Sequence, residues 1–132
     1  MTVPNIRTVD LQGLAGCDYI DKTRAGERGR QAEAALRIVG ETDRVYINAP
    51  AQITVRSEAR TVVAVHKDAN WPEAVVWNVW DEKVKAMSDM APHEYASYVC
   101  VEVAAVAQPV VLAPGARWHA AQTLHATNSA SL

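Results

Sequence analysis

Short apolar runs separated by turn-forming residues are the feature that most limits the fold of this chain. Several runs alternate apolar and polar side chains, which is the period of a half-buried β-strand. Turn-forming residues fall between them, for example at Pro50, Asn70, Pro92 and Pro114. The pattern predicts an all-β fold, an antiparallel β-sandwich, with strands at residues 6–11, 44–47, 52–55, 61–66, 74–77, 95–106, 110–112 and 116–126.

Helical periodicity is almost absent from the sequence. Only residues 29–37 and 81–90 are compatible with a helix, and both helices would be short. Residues 23–33, TRAGERGRQAE, form the most polar segment of the chain. We expect this segment to be a mobile surface loop.

Length and composition indicate a single domain over residues 1–132. A chain of this length buries roughly two-thirds of its unfolded surface, which is enough for one core. The formal net charge is −2, and no Lys/Arg cluster is interleaved with aromatic residues, so we expect no nucleic-acid partner. No apolar run approaches the length of a membrane span and no signal region precedes the strands, so we expect a cytoplasmic protein without a membrane partner.

Cysteines and histidines give no sign of a metal or a cofactor. Cys17 and Cys100 are too few for a disulfide framework, and both are expected to be small core residues. The four histidines do not combine with Cys, Asp or Glu at a recognised ligand spacing. We therefore expect no metal site and no cofactor.

Glu102 is a single carboxylate in the middle of an apolar strand. With a period of two, Val101 and its neighbours at i±2 face one side, and Cys100, Glu102 and Ala104 face the other. If that second side is buried, desolvation raises the pKa of the carboxyl toward neutrality, as a general base requires. If the strand is half-exposed, Glu102 simply points to solvent. The pattern alone leaves both interpretations open.

Several separated segments resemble the hexose-6-phosphate 1-epimerases, which are relatives of aldose 1-epimerase (galactose mutarotase). They occur in the family's order and are VDLQGLAGCDYID (9–21), ETDRVY (41–46), VVWN-x-W (75–80), SDM (88–90), YVCVE (98–102) and L-x-PG-x-x-W (112–118). The resemblance implies that the chain corresponds to the C-terminal half of a mutarotase-like sandwich. One departure is Val79, where the family usually has a proline.

The resemblance also implies roles for two carboxylates. Glu102 matches the general base that removes the proton from the anomeric hydroxyl, and Asp43 matches an acidic residue that holds sugar hydroxyls. The implied ligand is a hexose or a hexose phosphate. The family's general acid is a histidine that precedes the segment aligned with residues 3–6, so we expect it to be missing here together with the phosphate-binding arginine.

Two functions from different classes therefore stay open. The chain is either an epimerase-like protein of carbohydrate metabolism that lacks its general acid, or a non-catalytic carbohydrate-binding or oligomerising module. Half of a sandwich would expose sheet edges and an apolar face. We expect either a homo-oligomer or a separate N-terminal half to cover them.

Overall fold

The computed structural model describes residues 1–58 and 60–127, and these contain two antiparallel five-stranded sheets. The first sheet has the order β10-β7-β6-β1-β4, with β1 (Val9–Gln12), β4 (Ala35–Arg37), β6 (Gln52–Ser57), β7 (Arg60–Lys67) and β10 (Gln122–Ala126). The second sheet has the order β3-β2-β5-β8-β9, with β2 (Asp18–Asp21), β3 (Glu27–Arg30), β5 (Thr42–Tyr46), β8 (Glu73–Asn78) and β9 (Cys100–Ala104). The predicted antiparallel β-sandwich is confirmed.

The core lies between the two sheets and follows from strand alternation. Leu11 of β1 and Val55 of β6 are opposite one another in the register, and both are fully buried. The second sheet contributes Tyr46 of β5 and Val76 of β8, which belong to the same cluster. Burial of these side chains supplies the main driving force for pairing the sheets.

The segment expected to be a loop or a helix is instead part of both sheets. The expected loop at residues 23–33 overlaps the short 3-10 turn Lys22–Arg24 and contains strand β3. Residues 29–37 form no helix. The helical prediction is wrong because Gly29 pairs with Tyr19 in a β-hairpin. A Cβ atom at Gly29 would lie 2.5 Å from the Tyr19 ring, so the glycine permits the close approach of the two strands.

Other boundaries differ from the predicted ones. The helix expected at residues 81–90 is the single turn α1 (Trp80–Val84), and residues 110–112 form no strand. The strand expected at residues 95–106 is shortened to β9, because Glu94–Ser97 is a 3-10 helix. Strand β2 was not predicted, since its sequence DYID carries a polar residue at each end.

No helix in residues 1–58 and 60–127 is long and apolar enough to cross a membrane.

Candidate functional site

Asp43, Trp77 and Cys100 form one cross-strand row on the second sheet. Asp43 of β5 pairs with Trp77 of β8, and Trp77 pairs with Cys100 of β9. Directly opposed residues of antiparallel strands project to the same side of a sheet. The three side chains therefore lie next to one another on one face.

Glu102 lies in the neighbouring row of the same face. It pairs with Val75 of β8, which pairs with Val45 of β5. Tyr46 and Val76 project to the opposite side, into the core. We call the side that faces away from the core the outer face, and the members used below are Asp43, Val45, Val75, Trp77, Cys100 and Glu102.

The two carboxylates of the outer face are separated by a single strand. Asp43 and Glu102 are two strand spacings and two residues apart, which puts their Cα atoms about 12 Å from each other. The side chains of Trp77 and Val75 of β8 lie between the strands that carry the two carboxylates. The structure thus brings together the two site residues that the sequence predicted, while their roles stay a prediction.

Lysine side chains surround Asp43. The side chain of Asp43 is only 19% exposed, and its Oδ2 lies 3.8 Å from Nζ of Lys22. Lys83 of α1 donates a 2.7 Å hydrogen bond to Glu41. This bond raises the pKa of Lys83, and the charge of Asp43 contributes to the same effect. An ionised carboxylate accepts hydrogen bonds from hydroxyl groups.

Arg44 fixes the strand that presents Asp43. It projects to the core side, where Nε lies 3.4 Å from Oδ2 of Asp21 and the guanidinium lies 4.3 Å from the Tyr19 ring centroid. Burial of Asp21 acts to raise the pKa of that carboxyl, but hydrogen bonds from Thr23 and Arg44 outweigh it and lower the pKa. Strand β5 is therefore tied to β2 directly beside Asp43.

Glu102 is exposed, which agrees with the second of the two interpretations that the sequence left open, a half-exposed strand. In residues 1–58 and 60–127, β9 is the edge strand of its sheet. The predicted alternation itself is correct, because Val101 packs against the core. Burial raises the pKa of the neighbouring Cys100 thiol. Cys100 is half-buried on the outer face and so is not the core residue expected from the sequence, whereas Cys17 does pack against the core.

Trp77 provides an aromatic surface between the two carboxylates. It is half-buried, and its ring packs on Tyr98 with a centroid separation of 5.6 Å. Trp80 lies elsewhere, against Tyr95 at 5.5 Å. Carboxylates beside an aromatic face suit a sugar, since the former bind hydroxyl groups and the latter packs on the apolar C–H side of the ring.

Asn78 organises the turn that follows Trp77, and the sequence pattern did not reveal this role. Its side chain is fully buried and donates hydrogen bonds of 2.9 Å to the carbonyl oxygens of Tyr95 and Tyr98. Its Oδ1 accepts a 2.9 Å bond from the backbone N–H of Trp80. Trp80 has a φ of 60°, which is unfavourable for a bulky residue, so these bonds hold a strained turn.

Val79 stands where the sequence resemblance leads one to expect a proline, and its backbone angle is compatible with that residue. Its φ of −69° is within the range that proline imposes. Its N–H, which proline would lack, donates a 3.1 Å hydrogen bond to the Tyr98 hydroxyl. This hydrogen bond therefore helps to fix the turn.

Glu73 is a second polar residue that the sequence pattern did not reveal. Its side chain is fully buried. The carboxylate accepts backbone N–H bonds of 2.6 Å from Val106, 3.0 Å from Ala107 and 3.2 Å from Gln108. Glu73 also pairs with Ala104. It thus fixes the turn that leaves β9 immediately after Glu102.

The histidines do not contribute to the outer face. His66 and His125 lie on β7 and β10 of the first sheet, with ring centroids 4.9 Å apart. His93 and His119 lie outside the strands. In residues 1–58 and 60–127, no group of three or more His, Cys, Asp and Glu side chains could hold a metal ion.

Comparison with known proteins gives the family. The family model described as aldose 1-epimerase matches residues 2–125. The chain belongs to the aldose 1-epimerase family. The resemblance seen in its sequence motifs is thereby confirmed.

Relatives of this aldose 1-epimerase family member are considerably longer. A Cenchrus ciliaris protein named "Putative glucose-6-phosphate 1-epimerase" is 39% identical over 127 residues, which are 96% of this chain and 39% of that protein. An Escherichia coli (strain K12) protein of the same name is 26% identical, and the match covers 92% of this chain and 41% of that protein. The chain thus spans about two-fifths of the length of these curated relatives.

A solved structure supports the same fold. The crystal structure of a "putative mutarotase (YeaD)" from Salmonella typhimurium matches with a TM-score of 0.70 and 25% identity. The match covers 96% of this chain and 36% of that one.

We predict that Glu73→Gln destabilises the fold by about 2–3 kcal/mol. The amide keeps only one acceptor oxygen and remains fully buried, so at least one of the three backbone N–H groups loses its partner. Urea unfolding measures the change, and amide hydrogen exchange at residues 106–108 should accelerate. Glu94→Gln is the matched control, because Glu94 is exposed and accepts one backbone bond, from Ala91. Equal losses in the two variants would contradict the role of Glu73.

Proposed function

We propose that the outer face binds a hexose or hexose phosphate and supplies the base side of sugar-anomer interconversion. The supporting observation is the register that puts Asp43 and Glu102 on one face, about 12 Å apart, with Trp77 between them. Two relatives of the chain are named as glucose-6-phosphate 1-epimerases, in agreement with such a substrate.

In this proposal Glu102 is the general base. Its carboxylate removes the proton from the hydroxyl at C1, and the bond between C1 and the ring oxygen breaks as that oxygen gains a proton from an acid. Rotation about the C1–C2 bond of the open-chain aldehyde presents its other side to the ring hydroxyl. Closure then returns both protons in the reverse direction. Each positioned proton-transfer group contributes about 10²–10⁴-fold to the rate.

Asp43 and Trp77 hold the sugar in this proposal. Asp43 accepts hydrogen bonds from ring hydroxyls, and its ion pair with Lys22 keeps the carboxylate in place. The Trp77 ring packs on the C–H side of the sugar. Orientation of the substrate over β8 places C1 toward Glu102.

The general acid has to come from outside the strands of the second sheet, because no histidine lies in the described part of that sheet. We propose that a partner, either a second copy of the chain or a separate N-terminal half, supplies it and covers the edge beside Glu102.

Exposed apolar side chains support such a partner. Val111 is 89% exposed, Leu124 59% and Leu112 52%. All three lie in the segment between β9 and the end of β10. Apolar side chains exposed to this degree are candidates for contacts with another protein surface.

A non-catalytic carbohydrate-binding or oligomerising module is the second candidate function. The observation that favours it is the exposure of Glu102 on an edge strand, where water competes for the carboxylate. In that case Asp43 and Trp77 would still bind sugar without accelerating anomer exchange.

We predict that Glu102→Gln abolishes anomer exchange of glucose 6-phosphate, since the amide cannot act as a base. NMR magnetisation transfer with the protein at several concentrations measures the rate, and a loss of about 10²-fold or more is expected. Glu27→Gln is the control, because Glu27 is an exposed residue of the same sheet that projects to the opposite side. Exchange that persists in Glu102→Gln would exclude Glu102 as the base. Exchange at the buffer rate in the unaltered protein would favour the binding module.

We also predict that the chain self-associates unless a separate N-terminal half is present. Light scattering should give a mass that rises with concentration toward a dimer or larger assembly. Val111→Asp should shift the distribution toward the monomer, because a charge in an apolar interface is costly to desolvate. A monomer over the whole concentration range would contradict self-association.

A further inference from the structure

Two histidines lie side by side on the first sheet, at its edge strand β10. His66 of β7 pairs with Thr123 of β10, and His125 of β10 pairs with Ala64 of β7. The histidines are therefore diagonal neighbours on adjacent strands, with Cα atoms about 7–8 Å apart. Both project away from the core, because Val65, which precedes His66 in β7, is buried. Sequence spacing did not reveal this pair because its members are distant along the chain.

The separation of the two imidazole rings suits a shared metal ion. Their ring centroids are 4.9 Å apart, and the ring planes are at 85° to each other. A Zn–N bond is about 2.0–2.1 Å long and the ring centre lies about 1 Å beyond the nitrogen, so two imidazoles on one tetrahedral ion have centres about 5 Å apart. Rotation about the Cβ–Cγ bond, whose preferences are broad, turns a nitrogen of each ring toward such an ion.

The neighbouring positions of the sheet are uncharged. Gln52 of β6 pairs with His66, and Thr54 of β6 pairs with Ala64. No cationic side chain of this row therefore repels a metal ion at the pair. In residues 1–58 and 60–127, no third His, Cys, Asp or Glu side chain joins the pair. Water would complete the coordination shell, so the ion is held less tightly than by the four protein ligands of a structural zinc site.

Strand β10 buries little apolar surface, so a cross-link to β7 would matter for its stability. All five residues of β10 are exposed. In the part of the chain that the structure describes, β7 is its one neighbour in the sheet. Leu124 is opposite the buried Val65, yet it is 59% exposed. Pairing with β7, rather than burial, therefore holds the strand in place.

We propose that His66 and His125 bind one divalent transition-metal ion, such as Zn²⁺, and thereby link the edge strand β10 to β7. Neutral imidazole is a good ligand for zinc, copper and nickel. The site is independent of the proposed sugar site, which lies on the other sheet. A metal ion bound by two strands stabilises the paired arrangement over the separated one.

Titration of the full chain with Zn²⁺ by calorimetry tests the site. We expect about one ion per chain, and His66→Gln and His125→Gln should each weaken binding about tenfold or more, because a single imidazole remains. Binding should also weaken as the pH falls, since protonated imidazole is not a ligand. His119→Gln is the matched control, because His119 is exposed, lies outside the strands and contacts Asn70 through its backbone carbonyl.

Amide hydrogen exchange tests the link between the strands. Zn²⁺ should slow exchange at residues 122–126 in the unaltered chain and in His119→Gln, and should leave it unchanged in the two pair variants.

Three results would overturn the inference. Equal Zn²⁺ affinity in the unaltered chain and both pair variants means that the ion binds elsewhere. Loss of binding in only one of the two variants means a single imidazole ligand rather than a pair. Binding that leaves exchange in β10 unchanged means that the ion does not link the strands. None of these results bears on the sugar site, whose residues lie on the second sheet.

Discussion

The register of β8 against its two neighbours is the constraint on which the rest of the site depends. Trp77 is opposite Asp43 on one side and Cys100 on the other, and Val75 is opposite Glu102. Because side chains alternate along a strand, a slip of one residue would turn one carboxylate into the core and its apolar neighbours outward. The burial of Val76 and Ala74 excludes that slip. Packing of the core thus decides which residues lie on the outer face.

Buried polar side chains at the two ends of β8 fix the loops that flank the outer face. Asn78 gathers three backbone groups at one end, and Glu73 accepts three backbone N–H groups at the other. A buried polar group is stable only when it has partners, so each of these side chains determines the path of a nearby loop. The hydrogen bonds of Asn78 position the aromatic pair of Trp77 and Tyr98. The hydrogen bonds of Glu73 fix the path of the chain after β9.

The sequence predicted the β-sandwich more successfully than it predicted the solvent exposure and hydrogen-bond partners of individual residues. Alternation in apolar runs was enough to predict β6, β7 and β8. The motifs singled out Asp43 and Glu102, which lie on one face of the second sheet, and their roles stay a prediction. The exposure of Glu102 could not be read from alternation, since that depends on whether a strand lies beyond β9. Residues 29–37 were misread because a close contact between Gly29 and the Tyr19 ring is a tertiary feature. Glu73 and Asn78 were missed because their hydrogen-bond partners are distant in sequence.

The central proposal is that the outer face of the second sheet binds the sugar. Mapping of bound glucose 6-phosphate by ¹H–¹⁵N NMR tests it most directly. We expect chemical-shift changes concentrated in β5, β8 and β9, around Asp43, Trp77 and Glu102. The indole N–H signal of Trp77 should be among the signals that shift. Strands β7 and β10 of the first sheet should stay unperturbed. Shifts confined to the first sheet, or to the exposed segment after β9, would contradict it.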